Sequence, residues 1–141
     1  MEARKKRVLL IDDEPSLHKM MRLILELAGY EMVGGDPRGS EAQEPKRLEP
    51  DLIVLDLMMP EVDGYEVLRR LKQDEETKHI PVVICTVRSD PEDRDMAMRL
   101  GASRYVLKPF DPEDLIRSIE EALREAEEGE GGAPPPVGGE V

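Results

Sequence analysis

Asp51-Leu52-Ile53-Val54-Leu55-Asp56-Leu57-Met58-Met59-Pro60 is the stretch on which the fold turns. Its centre, Leu52 to Leu55, is apolar at every position, short, and closed by an acid. A run of that kind needs cover on both faces and suits a strand inside a parallel sheet. Val8-Leu9-Leu10-Ile11, Val82-Val83-Ile84-Cys85 and Tyr105-Val106-Leu107 have the same character. Glu31-Met32-Val33 is a weaker fifth run that suits an edge.

Helical patterns separate the runs. Leu17, Met20, Met21, Ile24, Leu27 and Ala28 recur at three-four spacing and predict one buried helix face. That helix should stop at Gly29, which readily takes the left-handed conformation after a helix end. Val67, Leu68 and Leu71 mark another helix, Ala97 and Leu100 a shorter one ending at Gly101, and Leu115, Ile119, Ala122, Leu123 and Ala126 the last. Asp90-Pro91-Glu92-Asp93 and Asp111-Pro112-Glu113-Asp114 are two copies of one helix start. In each, Asp can cap free N–H groups, Pro loses no hydrogen bond at the first position, and the acids favour the helix dipole. Pro37 to Glu49 should hold the remaining helix, but only Ala42 and Leu48 are apolar and Pro45 removes an interior hydrogen bond, so a short or distorted element is expected.

Strand–helix alternation repeated five times implies an α/β fold with parallel strands, right-handed crossovers and helices on both faces. A flavodoxin-like (βα)5 doubly wound sheet of order 2-1-3-4-5 fits, with ligands beyond the strand carboxyl ends where the first and third strands meet. Residues 1–128 are expected to form one domain. Residues 129–141, rich in Gly and Pro, have no apolar core to build and are expected to be a disordered tail or linker.

The formal net charge is −12. A field of that sign repels phosphate backbones and anionic membranes, so neither is expected as a direct partner. The basic start Met1 to Arg7 is followed by only four apolar residues, Val8 to Ile11. A secretory core needs roughly 7–15 and a membrane span about 20. A cytoplasmic placement is expected, and the single Cys85, which cannot form an internal disulfide, suits a reducing compartment.

The chemistry gathers just past the strand ends. Asp12 and Asp13 follow the first strand, Asp56 the third, Thr86 the fourth, and Lys108-Pro109 the fifth. Parallel strands bring all five side chains to one rim. At about 4–5 Å and an effective dielectric near 20, each pair of like charges costs roughly 3–4 kcal/mol. A neutralising cation is therefore required, and oxygen-only ligands favour Mg²⁺, which takes one or two carboxylates and keeps open positions. Asp56, alone at the central strand end, suits a nucleophile that forms an acyl phosphate. A metal and the Lys108 ammonium would stabilise the charge on the phosphoryl oxygens, and the Thr86 hydroxyl would donate to them.

From about Lys6 to Arg124 the sequence resembles the bacterial response-regulator receiver domains of two-component signalling, the CheY-like family. The resemblance is carried by Leu10-Ile11-Asp12-Asp13-Glu14-Pro15, the stretch Asp51 to Pro60, Asp63-Gly64, Thr86, Gly101-Ala102 and Tyr105-Val106-Leu107-Lys108-Pro109-Phe110. It implies phosphorylation of Asp56 by a histidine kinase or phosphotransfer protein. It implies Mg²⁺ on Asp12 or Asp13, Asp56 and the Met58 carbonyl, with Asp13 the stronger of the pair. It also implies a Lys108–phosphoryl contact, a cis Lys108-Pro109 bond, and a switch in which Thr86 moves to the phosphate and Tyr105 turns inward. The face of the fourth helix, fifth strand and fifth helix would then change for a downstream effector protein. Catalysis would be limited to self-phosphorylation and self-dephosphorylation. Val87 stands where the family usually has something smaller, often Ala, which predicts slower loss of phosphate.

Two other functions compete. A haloacid-dehalogenase-like phosphatase also attacks phosphorus with a strand-end Asp, but it needs an acid two residues later, where Met58 stands. A non-phosphorylated pseudo-receiver scaffold would be favoured by a missing Asp or Lys, and none is missing. Singly, Asp63 suits a loop acid, His18 and His79 exposed positions, Met20 and Met96 packing, Met21 and Met98 contact surfaces, and Cys85 the core.

Overall fold

The computed structural model describes residues 4–34 and 44–129. In chain order the elements are β1 (Arg7–Ile11), α1 (Pro15–Leu27), β2 (Glu31–Val33), α2 (Glu44–Leu48), β3 (Leu52–Leu55), β4 (Met58–Met59), β5 (Val62–Asp63), α3 (Gly64–Gln73), β6 (Val82–Thr86), α4 (Pro91–Arg99), β7 (Arg104–Leu107) and α5 (Pro112–Gly129). Five strands form one parallel sheet in the order β2-β1-β3-β6-β7. Without the small β4-β5 hairpin, that is the expected 2-1-3-4-5 arrangement.

Alternate strand residues enter two cores. Val8, Leu10, Leu52, Val54, Val83 and Cys85 pack with α1 and α5, through Met21, Leu25, Leu115 and Ile119. Leu9, Ile11, Ile53, Leu55, Val82 and Ile84 pack with Leu68, Leu71 and Ala97 from α3 and α4. Both faces being covered is why these strands carry no polar alternation.

Helix α1 differs from its predicted phase. Leu17, His18, Met21 and Leu25 are buried, whereas Met20 is 47% and Leu27 80% exposed. The helix seats its i, i+4 row of Leu17, Met21 and Leu25 on the sheet, which turns Met20 and Leu27 away. His18 is therefore buried rather than exposed, and Met21 is core rather than surface. Met96, also expected inside, is exposed on α4. The end of α1 follows expectation: Gly29 has φ +95, and Tyr30 N–H donates to Leu25 C=O at 2.9 Å, the bond that closes a glycine-terminated helix.

Helix α2 is five residues long and has Pro45 as its second residue, where a missing N–H costs nothing. The earlier part of the predicted helix, 37–43, lies outside the described residues. Helices α4 and α5 begin at Pro91 and Pro112 as expected. Asp111 caps with its side chain, accepting from Glu113 N–H at 2.9 Å. Asp90 makes no side-chain cap bond, and its backbone carbonyl takes Asp93 N–H instead.

Candidate functional site

Asp12, Asp13, Asp56, Thr86 and Lys108 gather at one rim of the sheet, because β1, β3, β6 and β7 run parallel with Ile11 beside Leu55, Leu55 beside Ile84, and Thr86 beside Leu107, while Met58 lies in β4 and Tyr105 within β7. Asp12, Asp56 and Thr86 are buried, and Asp13 is half-buried. One oxygen from each of Asp12, Asp13 and Asp56 lies within 4.8 Å of the others. Three carboxylates so close, with no sulfur or imidazole donor among them, form a hard oxygen set suited to a small divalent cation.

Each carboxylate is held differently. Asp12 Oδ1 accepts from Glu14 N–H at 2.9 Å, and Asp12 Oδ2 accepts from Lys108 Nζ at 2.7 Å. Asp56 Oδ1 accepts from Met58 N–H at 3.1 Å, while Asp56 Oδ2 takes the same Lys108 ammonium at 3.2 Å. Asp13 has no hydrogen bond to another described residue in this set. Burial pushes the Asp12 carboxyl above its ordinary value, against the opposing pull of Lys108 and the Glu14 N–H. Burial also works against the Lys108 charge, but Asp12 and Asp56 together outweigh it and raise that amine. The Lys108-Pro109 bond is cis.

Asp56 leads directly into β4, whose Met58 pairs antiparallel with Asp63. Asp63, expected as a plain loop acid, caps α3 by accepting from Tyr65 N–H at 3.0 Å. Gly64 has a separate physical reason: a Cβ there would lie 2.4 Å from Leu57 Cα. Only glycine lets α3 start against the backbone that carries Asp56.

Beyond Thr86, a cluster joins three elements that sequence reasoning did not connect. Arg88 pairs with Asp93 at 2.8 Å and lies 5.8 Å from the Tyr65 ring centroid. The Tyr65 hydroxyl donates to the same Asp93 carboxylate. Burial, then Asp93, pushes that phenol up to about 12. The half-buried Tyr105 donates its hydroxyl to Arg88 C=O at 2.9 Å. The partners come from α3, α4 and β7, and no local spacing links them. Tyr105 also borders a cleft of about 500 Å³ with Pro91, Arg94, Leu107 and Phe110, on the face of α4, β7 and α5.

Residues 8–120 match the family described as the response regulator receiver domain. The chain is 36% identical over 134 residues to the phosphate regulon transcriptional regulatory protein PhoB of Pseudomonas aeruginosa, covering 95% of this chain and 58% of that one. It is 41% identical over 128 residues to a probable transcriptional regulator, ycf27, of Cyanophora paradoxa, covering 90% and 52%. The chain thus spans little more than half the length of these curated relatives. Among solved structures, a CheY-like receiver domain protein from Methanospirillum hungatei superposes with a TM-score of 0.78 at 27% identity, covering 89% of this chain and 98% of that one.

Proposed function

The chain belongs to the response regulator receiver domain family, and from that premise we propose that Asp56 accepts a phosphoryl group from a partner histidine kinase or phosphotransfer protein. The supporting observation is the convergence of Asp12, Asp13 and Asp56 under one ammonium that touches two of them. Asp12, Asp13, Asp56 and the Met58 carbonyl would hold Mg²⁺, which when bound supplies charge neutralisation for the carboxylates and the phosphoryl oxygens.

In this reading an Asp56 carboxylate oxygen forms the new O–P bond as the donor's N–P bond breaks, and the departing imidazole takes a proton. Lys108 moves its contact from the carboxylates to the phosphoryl oxygens, and Thr86 turns its hydroxyl toward them. The buried state of Asp56 limits water at the acyl phosphate. Thr86 and Tyr105 form the switch, with the Tyr105–Arg88 contact as the link to α4. The phosphoryl group acts by binding one of two conformations better, and the α4-β7-α5 face with its cleft would present the result to a downstream effector protein.

Met58 two residues after Asp56 offers no acid/base group, so turnover as a phosphatase lacks support. No helix among the described residues is long and apolar enough to cross a membrane, and we place the domain in the cytoplasm with no direct nucleic-acid contact of its own. Residues 1–128 would form the receiver unit and 129–141 a tail or linker.

The test is an intact mass after incubation with Mg²⁺ and acetyl phosphate. One added phosphoryl group, absent when the metal is chelated, is expected. An unchanged mass in a sample that binds Mg²⁺ would favour a non-phosphorylated scaffold.

A further inference from the structure

His18, on α1, has only 7% of its surface exposed. Its Nε2 is 2.7 Å from the carbonyl oxygen of Asp12. A carbonyl can only accept, so Nε2 carries the proton and Nδ1 is left as an acceptor. That Nδ1 is buried and has no hydrogen-bond partner among the described residues. An apolar ring of similar size would fill the same space without burying an unpaired acceptor, so packing alone does not account for a histidine here.

The bonded carbonyl belongs to the peptide that joins Asp12 to Asp13. Asp12 has its carboxylate secured at both oxygens, by Glu14 N–H and by Lys108. Among the described residues no such bond reaches the Asp13 carboxylate, so within them its direction is set through its backbone. The backbone on its N-terminal side is the peptide that His18 holds.

We propose that His18 is a positioning residue of the metal pocket: its Nε2–H on the Asp12 carbonyl fixes the Asp12–Asp13 peptide and with it the direction in which Asp13 offers an oxygen to a divalent cation. This rests on the Mg²⁺ reading above. The imidazole does not ligate the ion itself. Its effect is on affinity, in the manner of groups that orient metal ligands, whose loss typically weakens binding about 10-fold or more.

The experiment is a calorimetric Mg²⁺ titration of the full chain, wild type beside His18→Gln, His18→Asn and His18→Phe, with melting temperatures measured free of metal. Gln places an N–H donor close to the Nε2 position, while Asn is one carbon too short. Retained affinity in His18→Gln with an approximately 10-fold loss in His18→Asn and His18→Phe is expected, whatever the order of melting temperatures. A long-range ¹H–¹⁵N spectrum of the wild type should show the proton on Nε2. Equal Mg²⁺ affinity in all four proteins would overturn the inference and leave the metal reading standing, with His18 a packing residue. A wild type that binds no Mg²⁺ would overturn both. Should His18→Phe fail to fold, the Gln and Asn pair decides.

Discussion

The Lys108 ammonium stands 2.7 Å from Asp12 Oδ2, closer than the 3.2 Å that separates it from Asp56. Among the described residues, Lys108 is the ammonium paired with these buried acids, and its tighter partner is Asp12. Lys108→Met should therefore lower metal-free stability by about 3 kcal/mol, because it leaves buried carboxylates uncompensated. Millimolar Mg²⁺ should restore much of that loss by binding only the folded state. Urea unfolding of wild type and variant, with and without Mg²⁺, measures both. Equal losses at both metal levels would mean that Lys108 and the cation do not share this site.

Gly64→Ala should be among the most damaging single changes in the chain. Its Cβ would meet Leu57 Cα at 2.4 Å and the carbonyls of Asp56 and Leu57 at 2.7 and 2.8 Å. Backbone on both sides must shift, at a cost of about 3 kcal/mol. Thermal unfolding checks the loss, and a variant as stable as wild type would show that α3 can start elsewhere.

Val87 is 57% exposed and directly follows the buried Thr86 in the chain. Val87→Ala should shorten the lifetime of the phosphorylated protein several-fold, by opening the approach of water to phosphorus. The decay of the phosphorylated mass after removal of the donor follows this directly. An unchanged or longer lifetime would place water entry on another side.

Lys72 carries a pH prediction. Its Nζ donates to Ile80 C=O at 2.6 Å and to Lys78 C=O at 3.2 Å, and burial pushes the amine down to about 8 from 10.5. Between these values the unfolded chain holds a proton that the folded one has lost, so this group's contribution to stability rises with pH across that window. It is complete above 10.5 and gone below about 8. Lys72→Met should remove it, so wild type should gain on the variant as pH rises from 8 to 10. A constant difference would mean that the folded amine keeps its ordinary affinity for the proton.

The rim residues were legible in the sequence because each follows an apolar strand, and parallel topology does the rest. Asp12, Asp13, Asp56, Thr86 and Lys108 needed only that rule. The phase of α1 was less accessible. Its apolar residues offer two stripes, and only the sheet selects Leu25 over Leu27, which in turn buries His18. The β4-β5 hairpin, with two residues in each strand, is too short to leave a periodic pattern. The Arg88–Asp93–Tyr65 cluster depends on how α3 and α4 lie beside one another. Asp90 and Asp111 show the same limit, since identical local sequences cap differently once each helix meets its neighbours.

The central claim, that Asp56 is the phosphoryl acceptor, is tested most directly by reductive trapping. Borohydride converts an aspartyl phosphate to homoserine, and peptide sequencing by mass spectrometry then locates the changed residue. Protein treated with Mg²⁺ and acetyl phosphate should yield homoserine at position 56 and at no other acid. Homoserine at position 12 or 13, or none in protein that has gained a phosphoryl group, would contradict the assignment.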